Sequence, residues 1–179
     1  METVKYQGKM FAVVDKEIEA NGKTLTIEIG RRAPGTRLII DLGAELLLTK
    51  EHRPELGRYD MRLPGGKVFD TLAAYEAALA AGGDLAEDIE RAARLEAKEE
   101  AGVDAGAFSL FHTSVAGLTV DWTLYYFVVK DPTLGAQELG EHEVIETVRV
   151  PKEAARRMCL DGSVSEERSA LVLLRYLQS

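Results

Sequence analysis

The stretch from Leu63 to Val103 constrains this chain more than any other. It opens on a tight turn, Leu63-Pro64-Gly65-Gly66-Lys67, where adjacent glycines allow positive φ and a close approach of backbone to ligand. It closes on a helix rich in Ala, Leu, Glu, Lys and Arg from Glu87 onward, with Gly102 as the expected C-terminal stop. Glu96, Glu99 and Glu100 stand at i, i+3 and i+4, so their carboxylates share one face within a single turn. Three like charges so placed repel, whereas a divalent cation such as Mg²⁺ or Mn²⁺ prefers a cluster of hard oxygen ligands. A Glu-rich helix taken alone is an ordinary solvated face.

The pairing of that helix with the Gly-Gly turn resembles the Nudix hydrolase box, Gly-x5-Glu-x7-Arg-Glu-apolar-x-Glu-Glu-x-Gly-apolar. Glu87 through Val103 fits with one break, and the Pro64-Gly65-Gly66-Lys67 entry fits as well. There are two departures. Twenty residues, not five, separate Gly66 from Glu87, and the surplus around Thr71 to Asp84 reads as an Ala-rich helix inserted at residues 70–84 of the box loop. Leu95 stands where the box has Arg; Arg91, one turn after Glu87, and Arg94, beside the lost position, are the candidates to compensate.

Composition limits what else the chain can be. Its 179 residues suit one domain with a real core, and 46% hydrophobic with 29% charged content is ordinary for a globular protein. A net charge of −8 argues against nucleic-acid and anionic-membrane partners, and leaves an anionic substrate in need of a metal and local Arg or Lys. The single cysteine, Cys159, excludes an internal disulfide and a Cys-rich zinc site, and its amphipathic stretch predicts a buried, inert thiol. Neither a signal peptide nor a long apolar run is seen, so a cytoplasmic location is expected.

Ahead of the turn, Lys9–Glu19 and Thr24–Ile29 flank Asn21-Gly22 and predict a hairpin; residues 1–36 form an N-terminal extension. Arg31 to Gly35 reads as a loop, Arg37–Leu42 and Glu45–Glu51 as buried strands, and His52 to Asp60 as a polar turn. After the helix, Phe108–Val115 and Trp122–Val129 read as strands, Asp131–Gly140 as a loop, Ile145–Val150 as a strand and Lys152–Cys159 as a helix behind Pro151. Ser165 to Arg168 caps a last helix whose Ala170, Leu171, Leu174 and Leu177 face the core. His112 reads as a packed or surface residue rather than a ligand, Trp122 as a core aromatic that is also placed to stack on a base, and His142 as exposed.

By resemblance the fold is a Nudix-type α/β/α sandwich around a mixed β-sheet, in one domain over 1–179. The resemblance is to the ADP-ribose and nucleotide-sugar pyrophosphatase branch. It implies a metal-dependent hydrolase cleaving a nucleoside diphosphate derivative, ADP-ribose or another nucleotide sugar, to a nucleoside monophosphate and a sugar phosphate. It also implies that Glu96 and Glu100 hold Mg²⁺ or Mn²⁺, with Glu99 and the Gly65 carbonyl contributing. Glu141 matches best the branch's general base, with Glu143 second and Glu99 a further catalytic candidate. Arg53, Gly66, Gly117 and Thr119 match substrate-binding positions. The branch's N-terminal hairpin implies a homodimer, and a hairpin closing its own sheet is the alternative. Leu95 keeps open a second class, a Nudix-like binding or sensor domain with little or no turnover.

Overall fold

The computed structural model describes residues 2–54, 57–82, 84–141 and 143–179. Along the chain it places β1 Glu2–Gln7, β2 Phe11–Ala20, β3 Lys23–Arg32, β4 Gly35–Asp41, β5 Glu45–Arg53, β6 Arg58–Arg62, α1 Leu72–Ala80 and α2 Ala86–Ala101. There follow β7 Val103–Val115, β8 Val120–Asp121, β9 Thr123–Leu134, β10 Ile145–Pro151, α3 Lys152–Leu160 and α4 Glu167–Tyr176. One sheet runs β1-β2-β3-β8, and the larger runs β10-β5-β4-β9-β7 with β6 beside β5.

The larger sheet is mixed, since β4 runs parallel to β9 and antiparallel to β5. Its central strands are buried on both faces, which is why they read as apolar runs rather than alternations. Leu38, Ile40, Leu47, Phe127 and Val129 face α2, where Ile89, Ala93, Ala97 and Ala101 form a stripe at every fourth residue. Ile39, Leu46, Leu48, Tyr126 and Val128 face the other way, against Ala155 of α3 and Val172 and Leu173 of α4. Each fully buried Leu, Ile or Val contributes about 1.5–3 kcal/mol. With helices on both faces of a mixed sheet, the molecule is the α/β/α sandwich that the sequence resemblance implies.

Several local readings are corrected. Arg31 and Arg32 belong to β3 rather than to a loop, and His52 and Arg53 extend β5. Arg58 to Asp60 open β6, so the polar turn shrinks to the residues around Pro54 and Gly57; Glu55 and Leu56 within it lie outside the described residues, as does Gly83 after α1. β9 continues through Asp131 to Leu134. In α4 the buried residues are Ser169, Ala170, Val172 and Leu173, whereas Leu171 is 51% exposed. Ser165 does not cap that helix: its hydroxyl donates to Asp60 Oδ1 at 2.7 Å.

One irregularity of the sheet makes room for a site. β5 pairs with β4 only through Ile40↔Leu47 and Asp41↔Leu46, then leaves it for β6. The Pro64–Val68 segment fills the gap along the first half of β4. Thr36 N–H donates to Gly66 O at 2.9 Å, Leu38 N–H to Pro64 O at 2.9 Å, and Val68 N–H to Pro34 O at 3.0 Å.

Candidate active site

At that gap the Gly-Gly turn meets α2. Gly65 takes φ +138°, and a Cβ there would overlap the Thr36 carbonyl oxygen, so only glycine fits. Its N–H donates to Glu100 Oε2 at 2.7 Å. Gly66 packs so closely on Glu96 that a Cβ would overlap the Glu96 carboxylate. The helix bearing both acids is held at its far end by Gly102 in the left-handed region, φ +64°. There the Gln137 side chain donates to Glu100 O at 2.5 Å, and Gly135 N–H donates to Gly102 O at 2.6 Å.

Glu96 and Glu100 are electrostatically frustrated. Burial, then repulsion from Glu100, Glu99 and Glu143, pushes Glu96 up to about 7, against a small relief from Arg37. Burial also pushes Glu100 up to about 7; Glu51 and Glu143 add to it, while the Gly65 N–H and Arg37 pull the other way. Glu99 is raised too, by burial and then by Glu143 and Glu138.

These acids open onto a cavity of about 450 Å³. Its lining includes the acids Glu51, Glu96, Glu100 and Glu143 and the cations Arg32, Arg37, Arg53, Arg62 and Lys67. Trp122 closes one side, with the Arg32 guanidinium 4.7 Å from its ring centre and that of Arg168 at 4.2 Å. Arg53 pairs with Glu51 at 2.9 Å, and Arg62 with Glu51 at 3.5 Å and Asp60 at 3.6 Å. Arg37 is the most buried of the cations. Its Nη1 donates to Thr36 O at 2.8 Å and Gly65 O at 3.1 Å.

Of the residues singled out from the sequence, Glu96, Glu100, Gly65, Gly66, Arg53 and Glu143 line this cavity. Glu99, Glu141, Gly117 and Thr119 are not among its lining residues. Glu141 is exposed. Gly117 is exposed, and Thr119 accepts a bond from Gly30 N–H beside β8. His142 lies outside the described residues. Trp122, given first as a packed residue, is half-buried at the cavity wall. The cations from β3, β4 and β6 have no signal in local sequence, except that Arg37 opens an otherwise apolar buried strand.

Leu95 is 54% exposed. The two arginines near it, the candidates to compensate, pair with acids other than Glu96, Glu99 and Glu100. Arg91 pairs with Asp88 rather than Glu87, and Arg94 pairs with Glu90 and lies 4.3 Å from the Phe108 ring centre. Cys159 is half-buried, and burial followed by Asp161 pushes its thiol up to about 11, as suits an inert side chain.

The donor set fits a hard divalent cation. Two carboxylates at about 7 gain from a positive charge, and Gly66 leaves room beside Glu96 that any Cβ would fill. Among the described residues, no three His, Cys, Asp or Glu side chains are gathered closely enough to ligate one ion together. Any cation shell here would therefore draw on backbone carbonyl or water oxygens besides the Glu96–Glu100 pair. No helix among the described residues is long and apolar enough to cross a membrane.

A family model described as NUDIX domain matches residues 31–168, from the end of β3 to the start of α4. A crystal structure of an ADP compounds hydrolase has the same fold, with a TM-score of 0.69 over 99% of this chain and 91% of that chain, at 19% identity. No curated protein matches the sequence.

Proposed function

The chain belongs to the NUDIX family of pyrophosphohydrolases, and from that premise we propose that it hydrolyses the pyrophosphate of a nucleoside diphosphate derivative, with a divalent cation held by Glu96 and Glu100. The observation that carries this reading is a single cavity lined both by a frustrated acidic pair and by five Arg or Lys side chains. Mg²⁺ or Mn²⁺ bound there would supply charge neutralisation for the phosphates and a lowered pKa for water. Glu96 and Glu100 are its principal holders, with the Gly65 carbonyl beside them and Glu99 at the margin. Arg53 and Arg62 offer planar donors to phosphate oxygens, and Gly66 lets the backbone approach them. Glu143 is better placed than Glu141 to take the proton of the attacking water, because it lines the cavity and acts electrostatically on all three box acids. Water adds to one phosphorus as the bridging P–O bond breaks, giving a nucleoside monophosphate and the phosphate of the second moiety.

ADP-ribose or a related nucleotide sugar is the substrate class proposed. The ADP compounds hydrolase fold supports it, as does Trp122, an aromatic side chain lining the cavity beside the Arg32 and Arg168 guanidiniums. Exposed Val4, Tyr6 and Leu25 on the N-terminal sheet support a homodimer. A second reading, binding with little turnover, draws on Leu95, because Arg91 and Arg94 are both engaged elsewhere.

The test is phosphatase-coupled phosphate release from ADP-ribose, nucleotide sugars and dinucleotides, with and without Mg²⁺ or Mn²⁺. Metal-dependent release supports the hydrolase. Metal binding without release from any compound supports the second reading.

A further inference from the structure

The box helix of this chain lacks its arginine, yet a guanidinium reaches the box from elsewhere. Arg37 comes from the centre of the sheet, on β4, and is almost wholly buried. An arginine in that place is costly unless something uses its donors and charge. Its Nη1 donates to the Gly65 carbonyl at 3.1 Å, while the N–H of the same Gly65 donates to Glu100 at 2.7 Å. The Gly65 backbone is thus gripped at both its polar atoms, one by a buried cation and the other by a box acid. Glu166, at the N-cap of α4, and Glu100 of α2 are the carboxylates that act on Arg37, and Arg37 in turn acts on Glu96. Arg91 and Arg94, near Leu95, pair with Asp88 and Glu90 instead.

We propose that Arg37 is the positioning residue of this site, a strand-borne substitute for the missing box arginine that fixes the Gly65 peptide where Glu100 and a bound cation require it. The inference rests on the reading of the cavity as a hydrolytic metal site. Arg37 acts through Gly65 and Glu100, and its planar guanidinium makes Lys an incomplete replacement.

Three quantities test it in Arg37→Met and Arg37→Lys. They are the urea midpoint, the exchange rate of the Gly65 amide proton in metal-free protein, and Mn²⁺ binding followed by electron paramagnetic resonance. For Arg37→Met the expected results are a lowered urea midpoint, since the Thr36 and Gly65 carbonyls and the neighbouring carboxylates lose their buried partner, and Gly65 exchange faster than that loss of stability explains. Mn²⁺ binding weakens by roughly tenfold or more, the usual effect of losing a group that orients metal ligands. Arg37→Lys falls between the two proteins, and carries the test alone if Arg37→Met does not fold. Wild-type Gly65 exchange or wild-type Mn²⁺ affinity in Arg37→Met overturns the proposal, as does a change in both no larger than a loss of global stability explains. If the wild-type protein itself binds no Mn²⁺ and hydrolyses nothing, the functional reading fails separately. Gly65 exchange then decides for or against the role of Arg37.

Discussion

The two ends of β4 carry charge clusters built on opposite principles. At its end, Asp41 accepts from Lys152 Nζ at 2.8 Å, from Gly43 N–H at 2.8 Å and from the Tyr176 hydroxyl. Burial there works to raise the Asp41 carboxyl, but these three donors outweigh it and hold the group below its usual range. At its start, Arg37 borders Glu96 and Glu100, which burial and like charges hold at about 7. One cluster matches its carboxylate with donors, although it too borders a cavity, of about 400 Å³. The other leaves two acids short of positive charge beside an open cavity. Perturbation of this second kind marks a place kept for a ligand rather than for stability.

Substitutions at the two ends should therefore separate activity from stability. The largest effect is expected from Glu100→Gln, which should lower turnover at least about a hundredfold while the metal-free urea midpoint holds or rises. Asp41→Asn should do the reverse, costing about 2 kcal/mol with turnover unchanged. Comparable losses of activity in both variants would erase the distinction.

The pH dependence of metal-free stability sharpens the contrast. Unfolded glutamates release protons near 4.5, whereas Glu96 and Glu100 keep theirs to about 7 in the folded chain. The native state binds more protons in that window, so the stability these two groups contribute is full below pH 4.5 and is lost as pH rises to 7. At about 1.4 kcal/mol per pH unit, each of the two groups accounts for a change of order 3 kcal/mol. Asp41 has the opposite sign: its contribution is present above 3.8 and is lost as pH falls through its lower folded value. Urea midpoints between pH 4.5 and 8, repeated in Glu96→Gln, measure the first slope. A slope that survives the substitution would assign it to other groups.

Smaller effects divide the turn itself. Gly65→Ala meets backbone and a positive φ, and should cost about 2 kcal/mol or more in stability. Gly66→Ala meets only the end of the Glu96 side chain, so it should fold normally and bind Mn²⁺ roughly tenfold more weakly by titration. The smallest effect is expected of Leu95→Arg. Its half-exposed position should keep stability within about 0.5 kcal/mol and Mn²⁺ affinity unchanged.

What was legible in the sequence follows from how local each signal is. The spacing of Glu96, Glu99 and Glu100 and the stop at Gly102 lie within one helix, and β4 and β9 announce themselves as apolar runs. β1 left no trace because it is exposed throughout, so no alternation marks it. β6 was hidden in a polar stretch because its pairing with β5, not its own composition, makes it a strand. The clustering of the cations at the cavity is invisible in the sequence for a similar reason. Arg32, Arg37, Arg53 and Arg62 come from four strands, and only sheet topology brings them together. Leu171 was misplaced because α4 turns Ser169, Ala170, Val172 and Leu173 inward, a face that a leucine-only stripe does not describe.

The central claim is that Glu96 and Glu100 are left with less positive charge than they need, a deficit that a divalent cation fills. The most direct test is the shift in urea midpoint on adding Mg²⁺ or Mn²⁺ at pH 7.5, for the wild-type chain and for Glu96→Gln/Glu100→Gln. The account predicts that the ion stabilises the wild-type chain, by linkage to the native state, and leaves the double variant unmoved. Equal shifts in both proteins, or none in the wild-type chain, would contradict it.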